Sequence, residues 1–498
     1  MPYRQRELFE ADPHLAATKP EDQWFDRKSI RIEPIALANV LVGFANADGG
    51  TVVIGVEDSG EITGTDRYTD HLNRLRQAAI DYTNPLVRHT FDSIPCMTSA
   101  GQSDHHLVLE IHPSDHVHRN HRGETYKRIG DSTRRLNDED ARELVFDKGE
   151  RPFDGVPVPN AAMRDLDPDA LHAFAATIGP KDDVERALRV RGLTSDGHDG
   201  QSINVGAVLR FGVEPQSFLP AATIRILRYE GVFPRPGTRS NLVFDRRIDG
   251  RLVDQVETAR QVMSNQLRQV TRLDEQTGQF VTIGELPRFA WLEAIVNAVT
   301  HRSYSLQGDH IRVSLFDDRM EVASPGRLPG PVRVDNIRQT RFSRNPKISR
   351  VLSDLRLVLE LNEGRNRMFI EMEQAGLSEP ILEQTDAGFK VILYNSSESE
   401  RVQVRSIIDL VPPGFAPALD RLFGEGRVTT GQAAELTGFS LPSVRRHLRA
   451  LETAGLLERV ARSSTDPHAF WRSPQPLRGR WRARTLIETE HERTRKPN

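Results

Sequence analysis

The sequence has a single cysteine, Cys96, among 498 residues. One thiol excludes an internal disulfide and any zinc site built on several cysteines. Long apolar runs are also missing. The longest, such as Ala36–Ala47, fall well short of the roughly 18 residues that a membrane helix needs, so no membrane partner is expected. The opening MPYRQRELFEADPH lacks the apolar stretch of a signal peptide. Together these absences lead to the expectation of a cytoplasmic protein. Neither GxxxxGKS nor GxxxxGKT occurs, which argues against a P-loop motor or helicase. There is no internal repeat and no coiled-coil heptad.

What is present is a water-soluble composition, 37% hydrophobic and 28% charged. The length predicts about three domains. The formal net charge of −3 is unevenly spread: residues 401–498 carry 17 Lys/Arg against 10 Asp/Glu, a net +7, so the first 400 residues sum to −10. A basic C-terminal segment on an acidic body points toward a nucleic acid, although arginine-rich tails also occur simply as solvated chain. Two Pro/Gly-rich or polar stretches, GERPFDGVPVPN (149–160) and NSSESE (395–400), read as linkers. They separate segments at 15–148, 161–394 and 403–473 from a basic, partly disordered tail at 474–498.

In the first segment the spacing predicts a helix over Ala36–Ala47 and strands at Thr51–Val56 and Leu107–Ile111. EDQWFDRKS holds Glu21, Asp26 and Lys28. Asp26 and Lys28 are two apart, so on a strand they share a face. TVVIGVEDSG places Glu57 and Asp58 where a buried strand meets a turn. Such carboxylates could hold Mg²⁺ or Mn²⁺, which would activate water against a phosphodiester while Lys28 adds positive charge. On this reading Glu21, Asp26 and Asp58 are the metal ligands. The same residues could equally be solvated loop charges. Tyr126, Lys127, Arg128, Arg134 and Arg135 form a basic cluster with one aromatic, suited to phosphates and a stacked base, or to a solvated strand edge. Six of the sixteen histidines fall within 104–121, but their spacing matches no closed zinc pattern.

FANADGGTVVIGVEDSGEITG (44–64), with EDQWFDRKS before it and YKRIGDSTRR (126–135) after it, resembles the Schlafen-type Alba-like (AlbA_2) domain over most of residues 15–148. The resemblance implies a nucleic-acid-binding α/β domain. Some family members cleave structured RNA with three carboxylates, which here would be Glu21, Asp26 and either Glu57 or Asp58. Asp26 stands where that family more often has Glu, and Arg27 where it has an apolar residue. The glycine pair Gly49–Gly50 permits a positive φ and a tight helix-to-strand reversal.

In the second segment, WLEAIVNAVTHRSYS (291–305) places Glu293, Asn297 and His301 at i, i+4 and i+8, on one helix face. This row could serve a nucleotide, Asn297 holding Mg²⁺ and Glu293 polarising water, or it could be a satisfied polar seam. IRVSLFDDRMEVASPGRLPGPV (311–332) reads as a hairpin, and Arg344, Asn345 and Lys347 precede a helix that they could cap. Strands are expected at Thr223–Tyr229, Ile311–Phe316 and Lys390–Tyr394, and helices at Leu252–Val270 and Ala290–Val299. From Asn204 to Tyr394 the order of these motifs resembles a divergent GHKL-type ATP-binding domain, of the kind fused to Schlafen-type domains in bacterial transcriptional regulators. The resemblance implies ATP as cofactor and a catalytic Glu293. It implies nucleotide contacts from Asn297, His301, Ser324, Gly326, Glu363, Gly364 and Asn366. SPGRLPG lacks the family's adenine-reading Asp, and EGRNR has one glycine where two are common.

VTTGQAAELTGFSLPSVRRHLRALETAGLLERVARSS (428–464) reads as two helices with a turn at Gly438, followed by a strand. Thr430 and Ser440 are the expected caps. Val444, Leu448 and Leu451 form the second helix's core face, leaving Ser443, Arg445, Arg446, His447 and Arg449 largely off it. The stretch resembles the winged helix-turn-helix of bacterial regulators, in which such a helix enters the major groove. The alternative for such a module is protein contact.

The expected fold class is therefore α+β and multidomain: a Schlafen-like Alba-type α/β domain, a GHKL-like α/β sandwich and a C-terminal winged helix. The expected function is a nucleotide-responsive regulator that binds DNA, and RNA as a second candidate, as a homo-oligomer, most simply a dimer reading two half-sites. The alternative is a metal-dependent nuclease acting in stress or phage defence.

Overall fold

A computed structural model describes residues 5–178, 183–197, 200–235, 237, 240–273, 278–354, 363–385, 388–461, 466 and 469–474. The chain divides into two compact units, one of Met1–Phe153 with Pro329–Arg333, the other of Asp154–Leu328 with Val334–Asn498. Among the described residues no helix is long and apolar enough to cross a membrane.

The first unit runs α1 (Arg6–Ala11), α2 (Leu15–Thr18), β1 (Phe25–Lys28), α3 (Pro34–Asn46), β2 (Gly50–Ile54), α4 (Thr69–Tyr82), β3 (Thr83–Asn84), β4 (His89–Met97), β5 (Ser103–Ile111), β6 (Arg119–Asn120), β7 (Tyr126–Ile129), β8 (Ser132–Arg135) and α5 (Asp138–Asp147). The main sheet has the order β1-β2-β5-β4, with β1 parallel to β2 and the other pairs antiparallel. Period-two alternation sorts its side chains. Val52, Ile54, Leu107, Leu109 and Ile111 pack with α3 and α4, while Val53 and Val108 join Phe9, Ala16 and Phe25 on the other side. Helix α3 begins with Pro34 at a position where its missing N–H costs nothing.

The two glycines that end α3 serve different purposes. Gly49 has φ +74° and a Cβ there would lie 2.7 Å from Ile111 O, so it makes the reversal. Gly50 has no positive φ, and its missing Cβ leaves room for the Phe44 ring. Two histidines of the histidine-rich stretch are buried in the fold. His106 is buried in β5, where desolvation pushes its pKa down to about 4. The His118 ring meets Pro85 O at 2.7 Å through Nδ1.

Lys148, just past α5, is buried, and its Nζ donates to Ser114 O at 2.5 Å and Ala45 O at 3.4 Å, the latter a terminal carbonyl of α3. Desolvation, then the charge of Arg333, brings its pKa down to about 7. The folded form therefore favours the neutral amine, whereas the unfolded chain stays protonated up to about 10.5. The sign is that of a depressed group: this residue's contribution to stability grows as pH rises from about 7 toward about 10.5 and is lost as pH falls through about 7. Between pH 7 and 9 the melting temperature of wild type should rise relative to that of Lys148→Met. Parallel pH dependences in calorimetry would refute this.

The second unit opens with α6 (Pro168–Ile178), α7 (Val184–Val190), the hairpin β9 (Thr194–Gly197) and β10 (Gly200–Ile203), and α8 (Val205–Phe211). Then come β11 (Ile224–Tyr229), β12 (Leu242–Ile248), α9 (Leu252–Gln266), the hairpin β13 (Gln269–Leu273) and β14 (Phe280–Gly284), α10 (Arg288–His301), β15 (Ile311–Leu315), β16 (Arg319–Pro325), α11 (Pro346–Asp354), α12 (Glu363–Gln374), β17 (Ile381–Gln384) and β18 (Gly388–Tyr394). Six of these strands form one sheet in the order β12-β11-β15-β16-β18-β17. Its one parallel pair, β11 with β15, needs a crossover, and α9 and α10 lie in it. The expected helix over Leu252–Val270 stops at Gln266 because Leu267 turns extended and the next residues pair as a hairpin.

The boundary between the two units, Phe153 to Asp154, falls inside the first expected linker, and both stretches hold buried polar contacts. Asp154 is fully buried and its Oδ2 accepts the Lys347 and Ile348 N–H groups at 2.7 and 3.0 Å, capping α11. Desolvation pushes this carboxyl up to about 6. At the other stretch, Asn395 donates to Glu285 Oε2 and Asp317 O, and Ser396 is buried. Ser397 and Glu400 then form a capping box that starts α13 (Glu398–Asp409). NSSESE is thus a strand end followed by a helix start.

The remaining elements are α14 (Ala416–Glu425), β19 (Arg427–Thr429), α15 (Thr430–Thr437), α16 (Leu441–Thr453), β20 (Glu458–Val460) and β21 (Phe470–Arg472). The strands form a small sheet in the order β19-β21-β20. One apolar cluster runs from Val404 through Phe415, Leu419, Val444, Leu448 and Leu451 to Trp471, so α13 belongs to this core. The cap of α15 is Thr429, one residue before the expected Thr430, in a box with Gln432. Ser440 precedes α16 with extended backbone but makes no side-chain capping bond. Except for Pro474, the tail at 474–498 lies outside the described residues.

Candidate nucleic-acid interface and nucleotide site

Strand β1 puts Asp26 and Lys28 on one face, and their side chains form an ion pair of 2.6 Å. Asp26 is almost fully buried. Its second oxygen accepts from Arg128 Nη1 at 2.9 Å. Arg128 is equally buried. It also donates through Nε and Nη2 to Asp22 O at 3.1 and 3.0 Å and through Nη2 to Phe25 O at 2.9 Å, and its guanidinium lies 4.9 Å from the centre of the Phe44 ring. Arg128 therefore faces inward and fixes β7 onto β1, rather than standing with the exposed cations of the cluster. A buried charge is tolerated only with partners of this quality.

Glu21 lies beside Asp26. Burial first, and the Asp26 carboxyl second, hold its pKa above the usual carboxylate range. Its Oε1 accepts from Arg27 N at 3.2 Å. Arg27 is buried as well, donating to Ala17 O and Lys19 O, which explains an arginine where an apolar side chain was expected. Glu57 is committed elsewhere, accepting from Ser29 Oγ at 2.9 Å and Thr63 Oγ1 at 3.2 Å, and Asp58 is exposed at the turn.

Of the residues expected to hold a metal, Glu21 and Asp26 lie together and Asp58 stands exposed at the turn. Both Asp26 oxygens face protein cations, and among the described residues no group of three or more His, Cys, Asp or Glu is placed to hold a metal ion.

The hairpin β7–β8 pairs Tyr126 with Arg135 and Lys127 with Arg134. Arg134 and Arg135 are exposed and Lys127 half-buried, whereas the Tyr126 hydroxyl donates to Glu124 at 3.0 Å. Two residues that the sequence reading did not single out hold this hairpin. Asn46, at the end of α3, donates to His118 O at 2.9 Å and Tyr126 O at 2.8 Å and accepts from His118 N at 2.8 Å. Gln23 donates to Arg128 O at 3.2 Å and accepts from Gly130 N at 2.8 Å. The only signal for Asn46 was its place in the Asn-x-x-Gly-Gly segment.

In the second unit, Glu293, Asn297 and His301 lie half-buried along α10, and Asn297 Nδ2 donates to Glu293 Oε1 at 2.9 Å. Ser324 Oγ donates to Ala298 O at 3.2 Å, tying the end of β16 to α10. Gly326 has φ +97°, and a Cβ there would lie 2.6 Å from Ser303 Cβ, so this turn requires glycine. Asn345 is buried and its side chain donates to Thr300 O and Arg302 O, strapping the end of α10, while its own carbonyl accepts from Ser349 N at 2.9 Å at the start of α11. Glu363, Gly364 and Asn366 fall in the first turns of α12, and the side chains of residues 363–365 lie outside the described residues. Helix α12 packs on α10, with Arg367 over the Phe289 ring at 4.2 Å.

On α16, Val444, Leu448 and Leu451 are buried while Arg445, Arg446 and Arg449 are exposed. Ser443 is half-buried. His447 is not with the arginines: it packs against Phe415 at 5.5 Å and Phe439 at 6.3 Å, and burial, then Arg446, lowers its pKa.

Comparison with known families matches these regions in two places. Residues 21–137 match the family "Schlafen, AlbA_2", and residues 308–393 match a family of ATPase type, HATPase_c_4, described as "Putative ATP-dependent DNA helicase recG C-terminal". The chain thus combines a Schlafen AlbA_2-type region with an ATPase-like region, an architecture of nucleic-acid-related, ATP-binding character. The second match begins after α10, so Glu293, Asn297 and His301 lie outside it. No curated protein matches the chain. Among solved structures, the DIP2311 protein of Corynebacterium diphtheriae is 20% identical, covering 96% of this chain and 98% of its own, with a TM-score of 0.40.

Proposed function

We propose that this protein is a DNA-binding regulator in which the ATPase-like region controls nucleic-acid binding. The observation that carries the reading is the arrangement of α16. Its inner face belongs to the C-terminal core, and its outer face presents Arg445, Arg446 and Arg449 to solvent. The element order helix–strand–helix–helix–strand–strand from α14 to β21 supports reading it as a winged helix-turn-helix, a module whose second helix in the pair reads the major groove. Arginines there suit phosphates and guanine edges.

Nucleotide control is supported by the ATPase-type match and by the path of the chain. Just after Gly326, residues 329–333 leave the second unit and pack in the first, where Gly330 N donates to Asp147 O at 3.0 Å, before the chain returns. A nucleotide that orders the turn at Ser324–Gly326 would act on this short excursion. Asn297 and Glu293 would face its metal and attacking water, as in the family the sequence resembles. A dimer would let two copies of α16 read two half-sites.

The nuclease reading is the weaker one because Asp26 is taken up by Lys28 and Arg128. Full-length protein should retard duplex DNA on native gels, with the shift altered by ATP and Mg²⁺. Denaturing gels should show intact tRNA, single-stranded and duplex DNA in Mg²⁺ or Mn²⁺. Metal-dependent cleavage that disappears in Glu21→Gln, at unchanged melting temperature, would overturn the regulator in favour of the nuclease.

A further inference from the structure

A concavity of about 580 Å³ lies in the first unit, beside the hairpin β7–β8. Four arginines from separate pieces of chain line it: Arg119 on β6, Arg122 in the following turn, Arg135 on β8 and Arg142 on α5. Helix α5 contributes Asp138, Ala141, Arg142 and Val145, the i, i+3, i+4 and i+7 positions of one face. The carboxylates in the lining are Glu124 and Asp138. Glu124 is already engaged by Arg135 at 3.1 Å and by the Tyr126 hydroxyl and Asn120 Nδ2. The side chains of the groove, four arginines against two carboxylates, therefore carry a net charge of +2.

Like charges brought together from β6 and its turn, β8 and α5 repel one another, and an anion relieves that cost. Guanidinium forks are shaped to bind phosphate through paired N–H groups. Arg135 belongs both to the groove and to the hairpin, where Lys127 and Arg134 face each other one register step away, on the opposite face of the pair. An arginine-lined hollow suits one flexible phosphodiester chain that can bend into it rather than a rigid duplex.

We propose that this groove binds the sugar-phosphate backbone of a single-stranded nucleic acid, distinct from the duplex read by α16. The proposal rests on the reading of the protein as a nucleic-acid binder. A free polyphosphate offers the same chemistry, and the test separates the two. Fluorescence anisotropy would follow labelled DNA and RNA strands of about 12 nucleotides, within the site sizes usual for such grooves, and a labelled duplex, against full-length protein over a range of salt, with pyrophosphate as competitor. The proteins are wild type, Arg122→Ala/Arg142→Ala, Arg122→Lys/Arg142→Lys, and Lys127→Ala/Arg134→Ala.

The alanine groove variant should bind the strand about tenfold more weakly, with the salt slope reduced by about 1.4 for two lost contacts. The lysine variant should recover much of that loss, and duplex binding should be unchanged. Groove and wild-type isotherms that coincide, while the hairpin variant is weakened, would overturn the groove and leave the nucleic-acid reading standing. No binding of any strand or duplex by wild type would overturn both. Tight pyrophosphate binding lost in the groove variant, with strand binding intact, would overturn the strand assignment in favour of a free polyphosphate.

Discussion

Asp26→Ala should destabilise the first unit by about 3–5 kcal/mol, the cost typical of removing one partner from a buried ion pair. The loss leaves the Arg128 guanidinium and the Lys28 ammonium without the carboxylate that each faces, the first of them almost fully buried. Arg128 retains its backbone acceptors, Asp22 O and Phe25 O, so the unit should still fold at low temperature. For a unit of this size the melting temperature should fall by roughly 6–20 °C. Calorimetry or a fluorescence melt would decide it, and a shift under about 2 °C would mean that Asp26 is not the keystone of this network. The same variant is a poor probe of catalysis, since lost activity and lost structure would look alike. Glu21→Gln is the better one, because Glu21 is only part-buried and its neighbours remain paired.

The largest effect on binding is expected from Arg445→Ala/Arg446→Ala/Arg449→Ala. All three side chains are exposed and off the core face of α16, so the fold should survive. Contacts of this kind are worth about 1–3 kcal/mol each, so duplex affinity should fall at least about a hundredfold. Single-strand binding in the first unit should be nearly untouched. His447→Ala would differ in kind: with its ring against Phe415 and Phe439, it should lower stability more than affinity. Should the triple variant bind duplex as wild type does, α16 is not the DNA-reading helix.

Local features were legible in the sequence where a period decides them. The two-residue spacing of Asp26 and Lys28 placed them on one strand face, and the ion pair follows from it. The apolar spacing of Val444, Leu448 and Leu451 sorted α16 into a core face and an arginine face. The Gly49 reversal and the hairpin about Asp317–Asp318 were readable because turn geometry restricts the residues that can occupy it. In the polar stretch NSSESE serines and glutamates suit both a linker and a helix cap, and the capping box that starts α13 shows only in the structure.

By itself, then, the sequence determined the two-family character of the chain, its strand and helix faces and its exposed arginines, since these depend on residues close together in the chain. Only the tertiary structure decided what each charge meets. Arg128 is 102 residues from Asp26, yet their pairing anchors a hairpin on the strand that carries Asp26. The groove likewise unites Arg119 and Arg122 of one turn with Arg135 on β8 and Arg142 on α5. The effect of a charge depends on burial and on its neighbours in space, and neither is a property of spacing along the sequence.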